Sequence, residues 1–178
     1  MKWQFDSTHS SLTVGIKHMM VSTVRGRFGG ITGDLDFDPQ RPEGASVDLS
    51  IPADTIDTGE ARRDAHLKSP DFFDAASYPN ITFRSTAVKK TGDDRYAVTG
   101  DLTIRGVTKP ATVDVELLGV IADPRAGQRA AFAAKTTIDR RDWGLVWNQP
   151  IANGVLVGDT VKVEFDLAAV PQQAAAAA

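Results

Sequence analysis

Residues 58–86, TGEARRDAHLKSPDFFDAASYPNITFRST, decide the fold, because a helix gives way to a strand within them. Residues 60–68 combine good helix formers with no proline, and Thr58 is the expected N-cap. Only Ala61, Ala65 and Leu67 are apolar there, and nine residues are too few for a stable isolated helix, so the rest of the chain must hold it. Ser69-Pro70-Asp71 ends the helix and opens a further turn, with serine as cap and proline at its first position. Phe72 and Phe73 follow on that turn; two adjacent rings cannot face the same way, so at least one is expected to enter the interior. Tyr78 is extended, because Pro79 disfavours helical backbone in the residue before it. From there Ile81, Phe83 and Ser85 alternate with Thr82, Arg84 and Thr86, the period of a strand.

The same alternation recurs on both sides of this stretch. Residues 3–6 read as a short first strand. Leu12, Val14, Ile16, His18 and Met20 then share one face over nine residues, roughly 30 Å of strand. Residues 24–28 resume a strand, Gly29-Gly30 bends it, and Ile31, Gly33, Leu35 and Phe37 carry it on. Further inward sets are Val47 to Ile51, Tyr96 to Ile104, Val113 to Leu117, Phe132 to Ile138 and Val161 to Leu167, each taken at every second residue. Residues 139–158 are irregular and hold two of the three tryptophans. Eight or more antiparallel strands make an all-β sandwich or barrel, and periodicity alone does not choose between them. Residues 1–170 read as a single domain, and 171–178, PQQAAAAA, as a low-complexity tail expected to be disordered.

Composition narrows the chemistry. The 178 residues suffice for one proper core, and 42% apolar with 24% charged is ordinary for a globular chain. A net charge of −3 without a basic block gives no nucleic-acid footprint. The absence of cysteine excludes disulfides, thiol catalysis and thiolate metal sites. No apolar stretch follows Lys2, so no signal peptide is visible; the expected compartment is the cytoplasm, or the periplasm if a leader was removed. No apolar run approaches the length of about 18 residues that a membrane helix needs. His9, His18 and His66 lack metal-ligand spacing, the run from Gly100 to Lys109 matches a phosphate loop neither in spacing nor in order, and neither GxSxG nor GxGxxG occurs. The expectation is a protein without cofactor or metal that is not an enzyme.

Several motifs carry a resemblance. Residues 58–86, with Asp6-Ser7-Thr8-His9-Ser10, Ile16-Lys17-His18, Val24-Arg25-Gly26-Arg27-Phe28, the run 100–110 and Ile138-Asp139-Arg140 before Trp143-Gly144-Leu145, fall in the order of the YceI-like family, the lipocalin-like polyisoprenoid-binding proteins. The resemblance covers about residues 3–168. It implies an eight-stranded antiparallel lipocalin-like barrel with the helical insert over one end. It also implies an interior that takes a polyisoprenoid chain, with a pyrophosphate or quinone head, or a related amphiphile, for storage or transport; the alternatives are a lipid-modifying enzyme with His18 or His66 as acid–base group and a filled-barrel interaction module without ligand. An eight-stranded barrel has room for one such ligand, and the small inward residues Gly33, Gly100 and Ala134 agree with a hollow.

The expected lining is Val14, Ile16, His18, Met20, Phe28, Phe72, Phe73, Ile81, Phe83, Trp143, Leu145 and Trp147; the plain alternative is that these rings and branches fill a solid core. His18 either bonds a ligand head or is satisfied by a backbone carbonyl. Arg62, Arg63, Asp64 and His66 either form an ion-paired face tying the insert to the barrel or grip a phosphate head. Arg25 and Arg27 should point to solvent, and Arg140, Arg141 and Asp142 should form structural ion pairs. An exposed last strand would allow a homodimer.

Overall fold

The computed structural model describes residues 1–173, so the alanine run at 174–178 lies outside the described residues. The strands are β1 (Lys2–Phe5), β2 (Ser11–His18), β3 (Ser22–Phe28), β4 (Thr32–Asp36), β5 (Ser46–Pro52), β6 (Asn80–Gly92), β7 (Arg95–Ile104), β8 (Val107–Asp123), β9 (Gly127–Asp139), the short pair β10 (Pro150–Ile151) and β11 (Gly154–Val155), and β12 (Val157–Pro171). β1 and β2 are two halves of one bent strand lying along β12, with Trp3 opposite Pro171 and Ile16 opposite Val161. β3 and β4 are likewise halves of the next: Phe28 pairs with Leu12, and Leu35 with Trp3. Counted this way, eight antiparallel strands follow chain order around a closed barrel, and β12 returns to β1. Closure leaves unpaired edge only where the ladders are incomplete, along β3 and along Val107 to Val113.

Three expectations change here. β12 is paired on both sides, with β9 and with β1–β2, so it offers no edge for a second copy. Pro171 belongs to β12, and the Gln172 N–H donates to the Lys2 carbonyl at 2.9 Å, so the barrel runs past residue 170. Gly33 and Gly100 do not create the hollow. A Cβ on Gly33 would fall on the Asp48 backbone, and one on Gly100 would meet the Arg84 carbonyl and stand 2.6 Å from Phe83 Cζ. These glycines let backbone or ring approach closely.

The two ends of the barrel differ. At one, Phe37 packs tilted against Trp3 and edge to face against Phe132, with centroids 6.0 and 5.5 Å apart, and the Trp3 indole donates to the Phe37 carbonyl at 3.0 Å. Nearby, Arg129 joins Asp6, at the β1–β2 bend, to Asp123 at 2.7 and 2.9 Å. The Arg129 guanidinium holds the Asp6 carboxyl down to about 2. At the other end lie the β2–β3 turn, the β7–β8 turn, the long β5–β6 connection and the β9–β12 connection. The β5–β6 connection contains α1 (Ala61–Lys68).

Glu60, not Thr58, caps α1: its carboxylate accepts from the Arg62 and Arg63 amides, which leaves a helix start with two satisfied donors. Thr58 instead donates its amide and hydroxyl to Asp64 at 2.9 and 2.6 Å, and accepts from Arg63. These polar contacts, with His66 to Asp71 at 2.8 Å, stay inside the insert. What ties the insert to the barrel is mainly aromatic, together with the Arg105 guanidinium donating to the Phe72 carbonyl at 3.2 Å. The expected ion-paired tether is therefore replaced by packing.

Candidate functional site

The alternation that closes the barrel turns one face of every long strand inward. β7 contributes Tyr96, Val98, Leu102 and Ile104; β9 contributes Phe132, Ala134, Thr136 and Ile138; β12 contributes Val161, Val163, Phe165 and Leu167. They surround a cavity of about 200 Å³ with an apolar wall. A packed interior has few voids larger than a water molecule, so a space of this size is a built hollow rather than a packing fault. Among the described residues no buried side-chain nitrogen or oxygen lacks a hydrogen-bond partner, so nothing in the wall is left to anchor water.

Seven of the twelve residues expected to line the interior do so: Val14, Phe28, Phe73, Ile81, Phe83, Trp143 and Leu145. The two adjacent rings of the insert divide as sterics require. Phe73 reaches the cavity and meets Phe28 edge-on, with centroids 5.6 Å apart. Phe72 is buried outside it, 5.5 Å from Trp147 and 5.1 Å from His66, and His66 stands 4.6 Å from Trp147. Phe72 and Trp147 thus form a clasp between the insert and the β9–β12 connection rather than part of the wall.

Ile16, His18 and Met20 also fall outside the cavity. β3 pairs with β2 alone, apart from a single bridge from Arg27 to Asp57, so no further strand continues the wall beside this ribbon. The strand ends at His18, and Met19 and Met20 turn the chain with positive φ, leaving Met20 exposed. His18 is half-buried and pairs with Ser22 and Val157; its carbonyl accepts from the Ser22 hydroxyl at 3.2 Å. Of the other charged candidates, Arg25 and Arg27 are exposed, and so is Arg62. Arg63 is spent on Thr58 and His66 on Asp71.

Among the described residues Arg140 is the one charged side chain in the wall, and it is 4% exposed. Its guanidinium points away from the hollow, donating to the carbonyls of Gly158 at 2.8 Å, Leu145 at 2.6 Å and Trp147 at 2.9 Å. Burial pushes its pKa down, and Asp159, at 3.7 Å, and Asp139 oppose that. Its neighbour Arg141 holds Asp139 in a two-pronged pair, which lowers that carboxyl to about 2. Arg140 therefore pins the β9–β12 connection across the barrel end, with Trp143 and Leu145 facing inward. Trp143 is fixed further by its indole N–H, which donates to the Leu102 carbonyl at 2.9 Å.

The wall is not continuous. Pairing between β8 and β9 runs from Asp114–Lys135 to Asp123–Gly127, so Val107 to Val113 pair with β7 only. Pro110, which has no amide to offer, sits on this one-sided segment. The Thr136 hydroxyl, donating to the Thr112 carbonyl at 2.7 Å, spans the start of the slit, and Ala111, Val113 and Ile138 line the cavity beside it.

The inward sets of the later strands were readable from alternation but are missing from the twelve; nothing in a strand's own pattern says which inward residues meet a hollow and which meet each other. Comparison with known proteins gives the arrangement its relatives. A family model described as a YceI-like domain matches residues 3–169. Protein YceI of Escherichia coli is 41% identical over 140 residues, covering 79% of this chain and 73% of its own. The crystal structure of Burkholderia cenocepacia BcnA superposes with a TM-score of 0.81 at 27% identity, covering 92% of this chain and 98% of its own. A polyisoprenoid binding domain from Saccharophagus degradans shares the fold, with a TM-score of 0.69 at 17% identity over 96% of this chain and 98% of its own.

Proposed function

The chain belongs to the YceI-like family, and we propose that it binds the tail of a long-chain polyisoprenoid lipid, of the isoprenoid pyrophosphate or quinone type, inside the barrel, for storage or transport. The single observation that carries this reading is the apolar cavity of about 200 Å³ inside the barrel. The polyisoprenoid binding of a protein with the same fold supports the ligand class. The wall offers aliphatic and aromatic groups and turns its one guanidinium outward, which favours holding a tail over catalysing a reaction.

Each buried CH₂ contributes about 0.8 kcal/mol, so one five-carbon isoprene unit contributes roughly 3–4 kcal/mol gross. Immobilising a flexible chain offsets a large share of that, yet a few buried units reach micromolar affinity without a strong polar contact. Affinity should then follow tail length more than head group. The test is a series of prenyl ligands with a common head and shortened tails, measured by displacement of a fluorescent lipid. Binding that weakens stepwise with shortening supports a tail-lined cavity, and a flat dependence on length rejects it. Phe83→Asp places a carboxylate in the wall and should abolish binding; a folded variant that still binds would remove Phe83 from the site.

A further inference from the structure

The β2–β3 turn and the β9–β12 connection meet at the barrel end that carries Trp143 and Leu145. The Met19 N–H donates to the Leu156 carbonyl at 2.8 Å, His18 pairs with Val157, and the Met20 sulfur stands 3.1 Å from where a Cβ on Gly154 would lie. Both segments are uncharged. Residues 18–24 contain no Asp, Glu, Lys or Arg, and neither do residues 143–158, in a chain that is 24% charged. They nevertheless expose large apolar side chains: Met19 is 50% exposed, Met20 57%, Val21 80% and Val146 63%.

Folding does not ask for these residues. Met19 and Met20 hold φ of 52° and 68°, positions that favour Asn and Gly. Three consecutive exposed apolar residues in such a turn serve something other than the core. The exposed side of the β9–β12 connection also adjoins the cavity wall. Leu145 faces the hollow at 6% exposure, and the next residue, Val146, faces out.

We propose that this end of the barrel is a docking surface for a lipid bilayer with neutral head groups, on which the protein takes up and releases its tail. The proposal rests on the cavity being a tail site. An uncharged patch offers no complementary charge to specify a protein partner. A bilayer asks only for apolar side chains that dip below the head groups, with an aromatic at the boundary, and Trp147 lies half-buried on the same segment. A tail insoluble in water has to leave one bilayer and rejoin another, and a docking face one residue away from the cavity wall shortens its passage through water.

The experiment is flotation of the full chain with phosphatidylcholine vesicles at low and at high salt. The wild type should float equally well at both. Met19→Asn/Met20→Gly, and separately Val146→Asp, should each lower the vesicle-bound fraction about tenfold. The first variant should melt at a higher temperature than the wild type, since its turn residues suit the backbone, so lost flotation cannot be ascribed to unfolding. Four results would each overturn the proposal: a wild type that does not float, flotation abolished by salt, variants that float like the wild type, or a dimer dissolved by the variants in the absence of vesicle binding. Tail binding by the same variants in detergent solution is read separately. If no form binds a tail while the flotation pattern holds, the cavity reading has failed and the docking face stands.

Discussion

Ala134→Phe separates a hollow barrel from a solid one by the sign of a single number. Ala134 is 7% exposed, lies on β9 between Val115 and Phe165, and faces the cavity. In a close-packed core the added ring would force neighbours off their rotamers and destabilise by about 1–3 kcal/mol. Here it enters a space of about 200 Å³. Burying about 100 Å² of extra apolar surface at about 25 cal/mol per Å² yields roughly 2.5 kcal/mol gross. Lost rotamer freedom takes back about 0.5–1 kcal/mol, leaving a net stabilisation of about 1.5–2 kcal/mol. For a chain of this length that corresponds to a melting temperature raised by about 3–8 °C. The assay is denaturant unfolding of delipidated protein, because a bound lipid would stabilise the wild type and mask the difference. An unchanged m-value is required for the comparison. The same variant should lose affinity for long prenyl tails, since ring and tail compete for one space. A destabilised variant that binds as well as the wild type would refute the reasoning on both counts.

Two other perturbations test the frame around the cavity. Arg140→Met keeps the apolar stem but leaves the carbonyls of Gly158, Leu145 and Trp147 without their donor; it should cost about 2–4 kcal/mol and speed amide exchange across residues 144–158, seen by hydrogen exchange. The Asp6 carboxyl is lowered from its ordinary 3.8 to about 2, so its contribution to stability is complete above the ordinary value and is lost as pH falls through the folded one. Asp6→Asn should therefore lower the melting temperature at neutral pH and flatten its decline between about pH 4 and about pH 2; a variant that keeps the full wild-type acid slope would show that Asp6 does not contribute to it.

Most of the barrel was legible because a strand with one wet face and one dry face writes its orientation into every second residue. Phe132, Ala134, Thr136 and Ile138, and Val161, Val163, Phe165 and Leu167, face inward as their spacing demands. Alternation is local, however, and carries no information about what stands opposite. Ile16, His18 and Met20 continue the face of Val14 in sequence, yet none of them reaches the cavity, although Val161, the partner of Ile16 on β12, does. Phe72 and Phe73 were separable only as a pair; which ring went inward depended on Phe28 and Trp147, both distant in sequence. The cap of α1 likewise depends on a contact that residue type alone does not show. Thr58 has the right chemistry, but Asp64 claims its amide and hydroxyl, and Glu60 caps the helix instead. Gly33 and Gly100 looked like missing volume, and only the strand register shows that neighbouring groups occupy it.

The most direct test of the central claim is native mass spectrometry of freshly purified wild-type protein beside Ala134→Phe. A tail-holding cavity predicts a discrete adduct in the mass range of an isoprenoid lipid on the wild type, removable by organic extraction, restored by adding a long-chain polyprenyl ligand, and absent from the variant. A wild type that shows only its bare mass, before and after that ligand is added, would contradict the account.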